Sequence, residues 1–230
     1  MAPYAPPDPP APSDRLPLAL AEELVLLFTD PDSGTLRVSR NGFQRAIAAA
    51  VFAELLLTGG IKVEDRRITG FRPGGARDEV TTEVLDRLGR APEWRRPGLD
   101  AALRRVPRGP TVRSFRERLV TSGHLTLERR RFLLLVPYRA WPPVRATAGA
   151  EIAERIAATV RGASGPRGAS SSAERDLQLA GLLWAAQLDR RLFPGRVHSE
   201  LRKSFRAAAR EQPISQALRR VVGADNASGG

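Results

Sequence analysis

From Phe43 to Leu57 the chain is apolar almost all round: Phe43, Ile47, Val51, Phe52, Leu55, Leu56 and Leu57 leave hardly any polar face at the helical period. A helix of this kind has no side to give to water, so the segment predicts the buried centre of a globular domain. Thr58-Gly59-Gly60 supplies its stop, because glycine enters the left-handed turn that closes a helix without steric cost.

The remaining segments must cover that centre. Leu18 to Phe28 carries Leu20, Leu24 and Leu27 at helical spacing, and a turn cluster from Thr29 to Gly34 separates it from a short predicted strand, Thr35 to Val38. Ile61 to Glu64 alternates like a strand, with Asp65 to Thr69 as its return. Short helices are predicted over Glu83 to Leu88, Leu99 to Val106 and Thr111 to Ser122, the last between Pro110 and Gly123. Leu125 to Trp141 reads as a hairpin with an unusually apolar second half. Ala148 to Arg161, Glu174 to Leu188, Ser199 to Arg210 and Ile214 to Val222 are helical, with a Gly/Ser/Pro linker from Gly162 to Ser172. The expectation is a mainly α chain: a single globular helical domain with short β-hairpins over residues 15–222. The Pro-rich residues 1–14 and the Ala/Ser/Gly tail 223–230 lack the apolar content to offset ordering entropy and are expected to be disordered.

The net charge of +12 narrows the function classes. All basic residues except Lys62 and Lys203 are arginines, whose planar fork bonds phosphate bidentately. The chain has no cysteine, no apolar run long enough to span a bilayer and no secretory signal pattern, so a soluble, intracellular protein is expected. Catalysis has little to stand on. His124 and His198 are isolated, the Gly59-Gly60 and Gly74-Gly75 pairs form no nucleotide loop, and no Gly-x-Ser-x-Gly elbow occurs. No enzymatic activity, cofactor or metal is expected.

The arginines carry more. Arg113 and Arg116 lie three apart on one helical face and can clamp a phosphate; the plainer alternative is a solvated face with Arg113 paired to Glu117. Arg129-Arg130-Arg131 directly precedes the apolar run Phe132 to Val136. Cations for headgroups beside apolar side chains for the acyl boundary make Arg130, Arg131, Phe132, Leu133 and Leu134 a candidate membrane-contacting hairpin, against the alternative of a buried strand.

Four segments, in order, resemble the Golgi phosphoprotein three family of phosphatidylinositol 4-phosphate adaptors. Leu-Ala-Leu-Ala-Glu-Glu-Leu-Val-Leu-Leu (Leu18 to Leu27) is similar to its opening helix. Ala53 to Glu64 resembles its second helix running through a glycine turn into a strand. Val112 to Leu119, with Gly123-His124-Leu125-Thr126 and Phe132-Leu133-Leu134, resembles its arginine-bearing helix and the hairpin after it. Leu177 to Leu192 resembles a late helix ending in a basic turn. The resemblance implies an all-helical domain with hairpins, docked through a basic patch on phosphoinositide membranes, with the hairpin on the membrane face and implicated in self-association. It also implies a role holding cytosolic tails of membrane enzymes. Its headgroup site uses two arginines three apart, matching Arg113 and Arg116 when aligned on Arg-Glu-Arg-Leu; aligned on Gly123-His124-Leu125, a deletion of about one helical turn shifts that register. Its other two positions, a Trp and an Arg, fall here at Ser39 and Ala48. Arg45 or Arg40 is the expected substitute for the Arg, no nearby aromatic replaces the Trp, and weak selectivity among anionic lipids is expected.

The Arg- and Ala-rich composition fits a bacterial member on the cytoplasmic membrane face, with phosphatidylinositol 4-phosphate or a related anionic lipid as ligand. A basic helical nucleic-acid-binding protein is the alternative, against which stands the lack of a recognition helix with base-reading side chains.

Overall fold

The computed structural model describes residues 18–76, 78–90, 97–132, 136–162 and 170–228. Along the chain, α1 (Leu20–Phe28) and α2 (Arg40–Leu57) lead into β1 (Ile61–Glu64) and β2 (Arg67–Phe71), then α3 (Glu79–Gly89), α4 (Leu99–Arg105) and α5 (Arg108–Thr121). The second strand pair, β3 (Glu128–Phe132) and β4 (Val136–Ala140), precedes α6 (Ala148–Gly162), α7 (Ser171–Ala185), α8 (Asp189–Leu192), α9 (Ser199–Glu211) and α10 (Pro213–Ser228). The chain is mainly α, with two antiparallel pairs, β1–β2 and β3–β4.

Helix α2 is the centre that its apolar circumference demands. Phe43, Ile47, Val51, Phe52 and Leu55 are buried, and Ala46, Ala48, Ala49, Ala50 and Ala53 are buried between them. Those small side chains let neighbours approach closely, and α1, α3, α4, α5, α7 and α10 all pack on α2. The helix begins one turn before Phe43, at Arg40, so its first turn projects beyond the core.

Three glutamates inside this apolar shell fix its surroundings. Glu54 of α2 is 2% exposed; its Oε2 accepts the Leu20 N–H at 3.0 Å and its Oε1 accepts Arg175 Nη1 of α7 at 2.7 Å. Arg175 Nη2 also donates to the Leu18 carbonyl at 2.6 Å, so α2 and α7 together satisfy the start of α1, whose Ala19 cap position offers no side-chain acceptor. Glu22 Oε1 accepts Arg118 Nε of α5 at 2.9 Å. Glu23 pairs with Arg155 of α6, which reaches Asp176 of α7 at 2.8 Å. Burial pushes the Glu23 carboxyl above the usual range, with the Arg155 guanidinium opposing it.

Several boundaries differ from the sequence expectation for local reasons. Thr35 to Val38 forms only an isolated bridge, Thr29 to Leu36, rather than a strand. Helix α3 starts four residues before Glu83, because Asp78 accepts the Thr81 N–H in a capping box. Pro110 lies inside the first turn of α5, where its missing N–H costs nothing. The return strand is displaced to Arg67–Phe71 because Asp65 and Arg66 take left-handed φ values of 45° and 63° to make the turn.

At the C-terminus, the disordered tail expected from residue 223 is corrected: α10 continues to Ser228. Asp225 holds it, with Oδ2 accepting Arg45 Nε at 2.8 Å and Oδ1 accepting Arg104 Nη1 at 2.8 Å. Arg45 is 4% exposed, so Asp225 neutralises a buried cation. Residues 1–14 and 163–169, on which the expected disordered head and most of the linker fall, lie outside the described residues.

Two stability outcomes follow. Leu55→Ala is expected to cost about 2–5 kcal/mol in denaturant unfolding, the range for a buried leucine with partial collapse of the cavity. Asp225→Asn strands Arg45 and is expected to cost about 2–3 kcal/mol at pH 7. Desolvation raises the Asp225 carboxyl, but Arg45 and Arg104 outweigh it and hold it below its ordinary value. A lowered folded value contributes stability above the unfolded pKa, and this is lost as pH falls through the folded one. The gap between wild type and Asp225→Asn should therefore be full at neutral pH and close progressively below about pH 4.

Candidate anion-binding pocket

The loop between α1 and α2 is the first wall of a basic pocket. Asp30 organises it: Oδ1 accepts the backbone N–H groups of Asp32 and Ser33 at 3.0 and 2.7 Å, and Oδ2 accepts Arg37 Nε at 2.7 Å. The Ser33 amide and the Arg37 side chain lower its carboxyl to about 2. Gly34 follows at φ +65°, and its carbonyl accepts the Trp141 N–H at 3.0 Å. A Cβ at Gly34 would stand 2.5 Å from the backbone nitrogens of Trp141 and Pro142, so this approach requires glycine. Arg130 Nη1 adds a second tie, to the Asp32 carbonyl at 2.6 Å. The β3–β4 hairpin is thereby docked on the loop.

Between loop, hairpin, α2 and α5 lies a cavity of about 560 Å³ lined by Arg40, Arg113, Arg116, Arg139 and Trp141 among others. The four guanidinium groups differ. Arg113 is 64% exposed and its Nε donates to Glu117 Oε1 at 2.7 Å, the solvated pairing foreseen as the alternative. Arg116 is half-buried, and its Nε is buried without a hydrogen-bond partner among the described residues. Desolvation first, and the positive charge of Arg40 second, pull Arg116 below the ordinary arginine value. Its guanidinium carbon lies 5.8 Å from the centroid of the Trp141 ring. Arg40 and Arg139 have no carboxylate partner among the described residues.

The backbone adds to this field. Arg40 opens α2, and Gly109, in the first turn of α5, also lines the cavity. Neither helix has a side-chain N-cap hydrogen bond or an acidic residue in its first turn. Two helix N-termini with their partial positive charge thus border a cluster of cations. A dianionic or trianionic oxygen ligand is the chemical complement of such a cavity.

Of the residues singled out in the sequence, Arg40, Arg113 and Arg116 come together here. Arg45 does not. Five positions beyond Arg40 on the same helix, it is turned by about 140° and serves the buried Asp225 pair, which corrects its assignment to headgroup binding. Ala48 is in the core and Ser39 is the N-cap of α2. Arg130 pairs with Glu128 at 2.7 Å as well as holding the loop. Arg131 and Phe132 belong to β3 by their backbone, while Leu133 and Leu134 lie outside the described residues.

Sequence reasoning missed Arg139 as a residue lining the cavity and found no aromatic for it. Trp141 supplies it from a distant segment, and the available signal was the spacing Arg139-x-Trp141, which puts both side chains on one face of an extended chain. Among the described residues no group of three or more His, Cys, Asp or Glu could hold a metal ion, and no helix is long and apolar enough to cross a membrane.

A model of the Golgi phosphoprotein 3 (GPP34) family matches residues 20–224, from the first residue of α1 into α10, and so includes every wall of the pocket. No curated protein matches the chain.

An unpartnered, half-buried cation costs stability while the pocket is empty. Removing it in Arg116→Met is expected to raise unfolding free energy by about 1 kcal/mol in anion-free buffer, the lost Trp141 contact offsetting part of the relieved desolvation. Arg113→Met, at an exposed pair, should change it by less than about 0.5 kcal/mol.

Proposed function

Because the chain belongs to the Golgi phosphoprotein 3 (GPP34) family, we propose that it is a non-catalytic, peripheral membrane adaptor whose arginine pocket takes a phosphorylated lipid headgroup. The observation that carries this reading is Arg116: a half-buried guanidinium with an unsatisfied Nε, faced by the like charge of Arg40. Such a group is stable only with an anion in reach or at a cost the fold must bear for another reason.

The charge count favours a phosphomonoester over a phosphodiester. Arg40, Arg116 and Arg139 are the cations left free once Arg113 is paired to Glu117, and three positive charges are better matched by a phosphatidylinositol 4-phosphate-like headgroup than by phosphatidylserine. Trp141 completes an aromatic wall, which changes the expectation of weak selectivity. Bound in this way on the cytoplasmic leaflet, the chain would present its remaining surface to cytosolic tails of membrane enzymes or to a second copy of itself.

Vesicle co-sedimentation tests the reading. Phosphatidylcholine vesicles carrying phosphatidylinositol 4-phosphate are compared with vesicles carrying phosphatidylserine at equal surface charge. Wild type should favour the former severalfold. Arg40→Ala/Arg116→Ala should lose on the order of tenfold or more, at about 1 kcal/mol for each basic residue near an anionic surface. The paired Lys variant should fall between, keeping charge but losing the bidentate fork. Added salt should shrink all differences. Equal binding by the folded double Ala variant would remove the pocket from the mechanism, and tighter binding to duplex DNA at matched salt would favour nucleic acid instead.

A further inference from the structure

The connection from α8 to α9 carries a further group of exposed cations. Arg190, Arg191 and Arg196 are exposed and form no salt bridge among the described residues, although the charge of Arg190 acts on its neighbour Asp189. Glu200, the next exposed acid, is taken by Lys203 at 2.8 Å, and Asp189 is buried. Next to Arg196, Val197 is 85% exposed, more than any other large apolar side chain described.

This loop has a fixed form. Arg202 Nη1 donates to the Phe193 and Gly195 carbonyls, both at 2.8 Å. The Phe193 ring stands edge-on to Phe205 of α9 and to His198, with centroids 5.6 and 5.7 Å apart. Gly195 turns the chain at φ +82°. A single exposed valine is unremarkable on a protein surface; one held in a braced turn in the same connection as three exposed arginines has the composition of a membrane-contact element, apolar and cationic together.

The loop also adjoins the pocket. A second cavity, of about 480 Å³, lies between Val38 and Arg40 at the start of α2 and Arg191 of α8. Val38 and Arg40 line both cavities, so free cations run from Arg116 through Arg40 to Arg191 and on into the loop.

We propose that the α8–α9 loop is a second membrane-contact element, with Val197 seated at the acyl boundary and Arg190, Arg191 and Arg196 on neighbouring anionic headgroups. It rests on the reading of the pocket as a lipid site. The pocket selects one headgroup, and the loop adds affinity from the leaflet around it, in the manner of any two-point attachment.

The absence of cysteine from the chain allows a direct test. Val197→Cys, and as control Asp86→Cys on the exposed face of α3, are each labelled with an environment-sensitive fluorophore and mixed with phosphatidylcholine vesicles containing phosphatidylinositol 4-phosphate. The label at position 197 should shift to the blue and be quenched by a bilayer-embedded spin label, and the label at position 86 should do neither. Arg190→Ala/Arg191→Ala/Arg196→Ala should weaken vesicle binding on the order of tenfold or more. If the labelled protein sediments with vesicles while its emission at position 197 stays unchanged, the loop is off the membrane and the proposal is overturned with the pocket reading intact. Failure to sediment at all would overturn both. An equal shift with soluble polyglutamate would make the loop a general acid-binding surface and overturn the lipid assignment.

Discussion

Glu54 is a carboxylate in the middle of an apolar rod, and the arrangement of the helices around it follows from what it must be given. A buried charge without partners is untenable. Its two oxygens take the first amide of α1 and the guanidinium of Arg175, and Arg175 reaches the Leu18 carbonyl. That one group therefore specifies where α1 begins and which face of α7 meets the core. Glu22 and Glu23 repeat the device toward α5 and α6. Such pairs return little net stability after desolvation, whereas losing one partner leaves a buried charge uncompensated.

The same economy explains where the free charge lies. Arg45, Arg118, Arg155 and Arg175 draw on Asp225, Glu22, Glu23 and Glu54, of which the three glutamates are buried. With 25 acids against 37 bases, such one-to-one pairs leave the whole net charge of +12 to the remaining residues. Part of that excess lies at the cavity near Arg40, Arg116 and Arg139, and part on the α8–α9 connection.

The central helix, the strand pairs and most helix positions were legible because each has a local cause: an unbroken apolar circumference, a period of two, a glycine stop. Arg113 and Arg116 were legible as a pair because their spacing fixes a common face, although Arg113 turned out to lean on Glu117. What sequence could not give were the long-range ties. Nothing near Arg45 announces that Asp225, at the far end of the chain, will bury it, and an Ala-rich tail reads as disorder until that ion pair is known. Trp141 was visible as a residue but not as a wall of the pocket, because it reaches Arg116 only through the docking of a hairpin on a loop a hundred residues earlier. Glutamates in an apolar helix were similarly silent: Glu22 and Glu23 look like a solvated pair until α5 and α6 close over them.

The hairpin is docked by an amide-to-carbonyl bond at a position where no side chain fits, between Trp141 and Gly34, and by the Arg130 tie to the Asp32 carbonyl. Such a seam leaves no slack. The strand that carries Arg139 and the indole beside Arg116 moves as one piece with the hairpin, so whatever grips the hairpin also grips the cavity. If the pocket takes an anion as proposed, thermodynamic linkage works in both directions: a contact that favours the docked hairpin tightens the hold on the anion by the same factor as the anion tightens that contact. Two weak engagements on one rim would thus report on each other, and attachment would read coincidence rather than either signal alone.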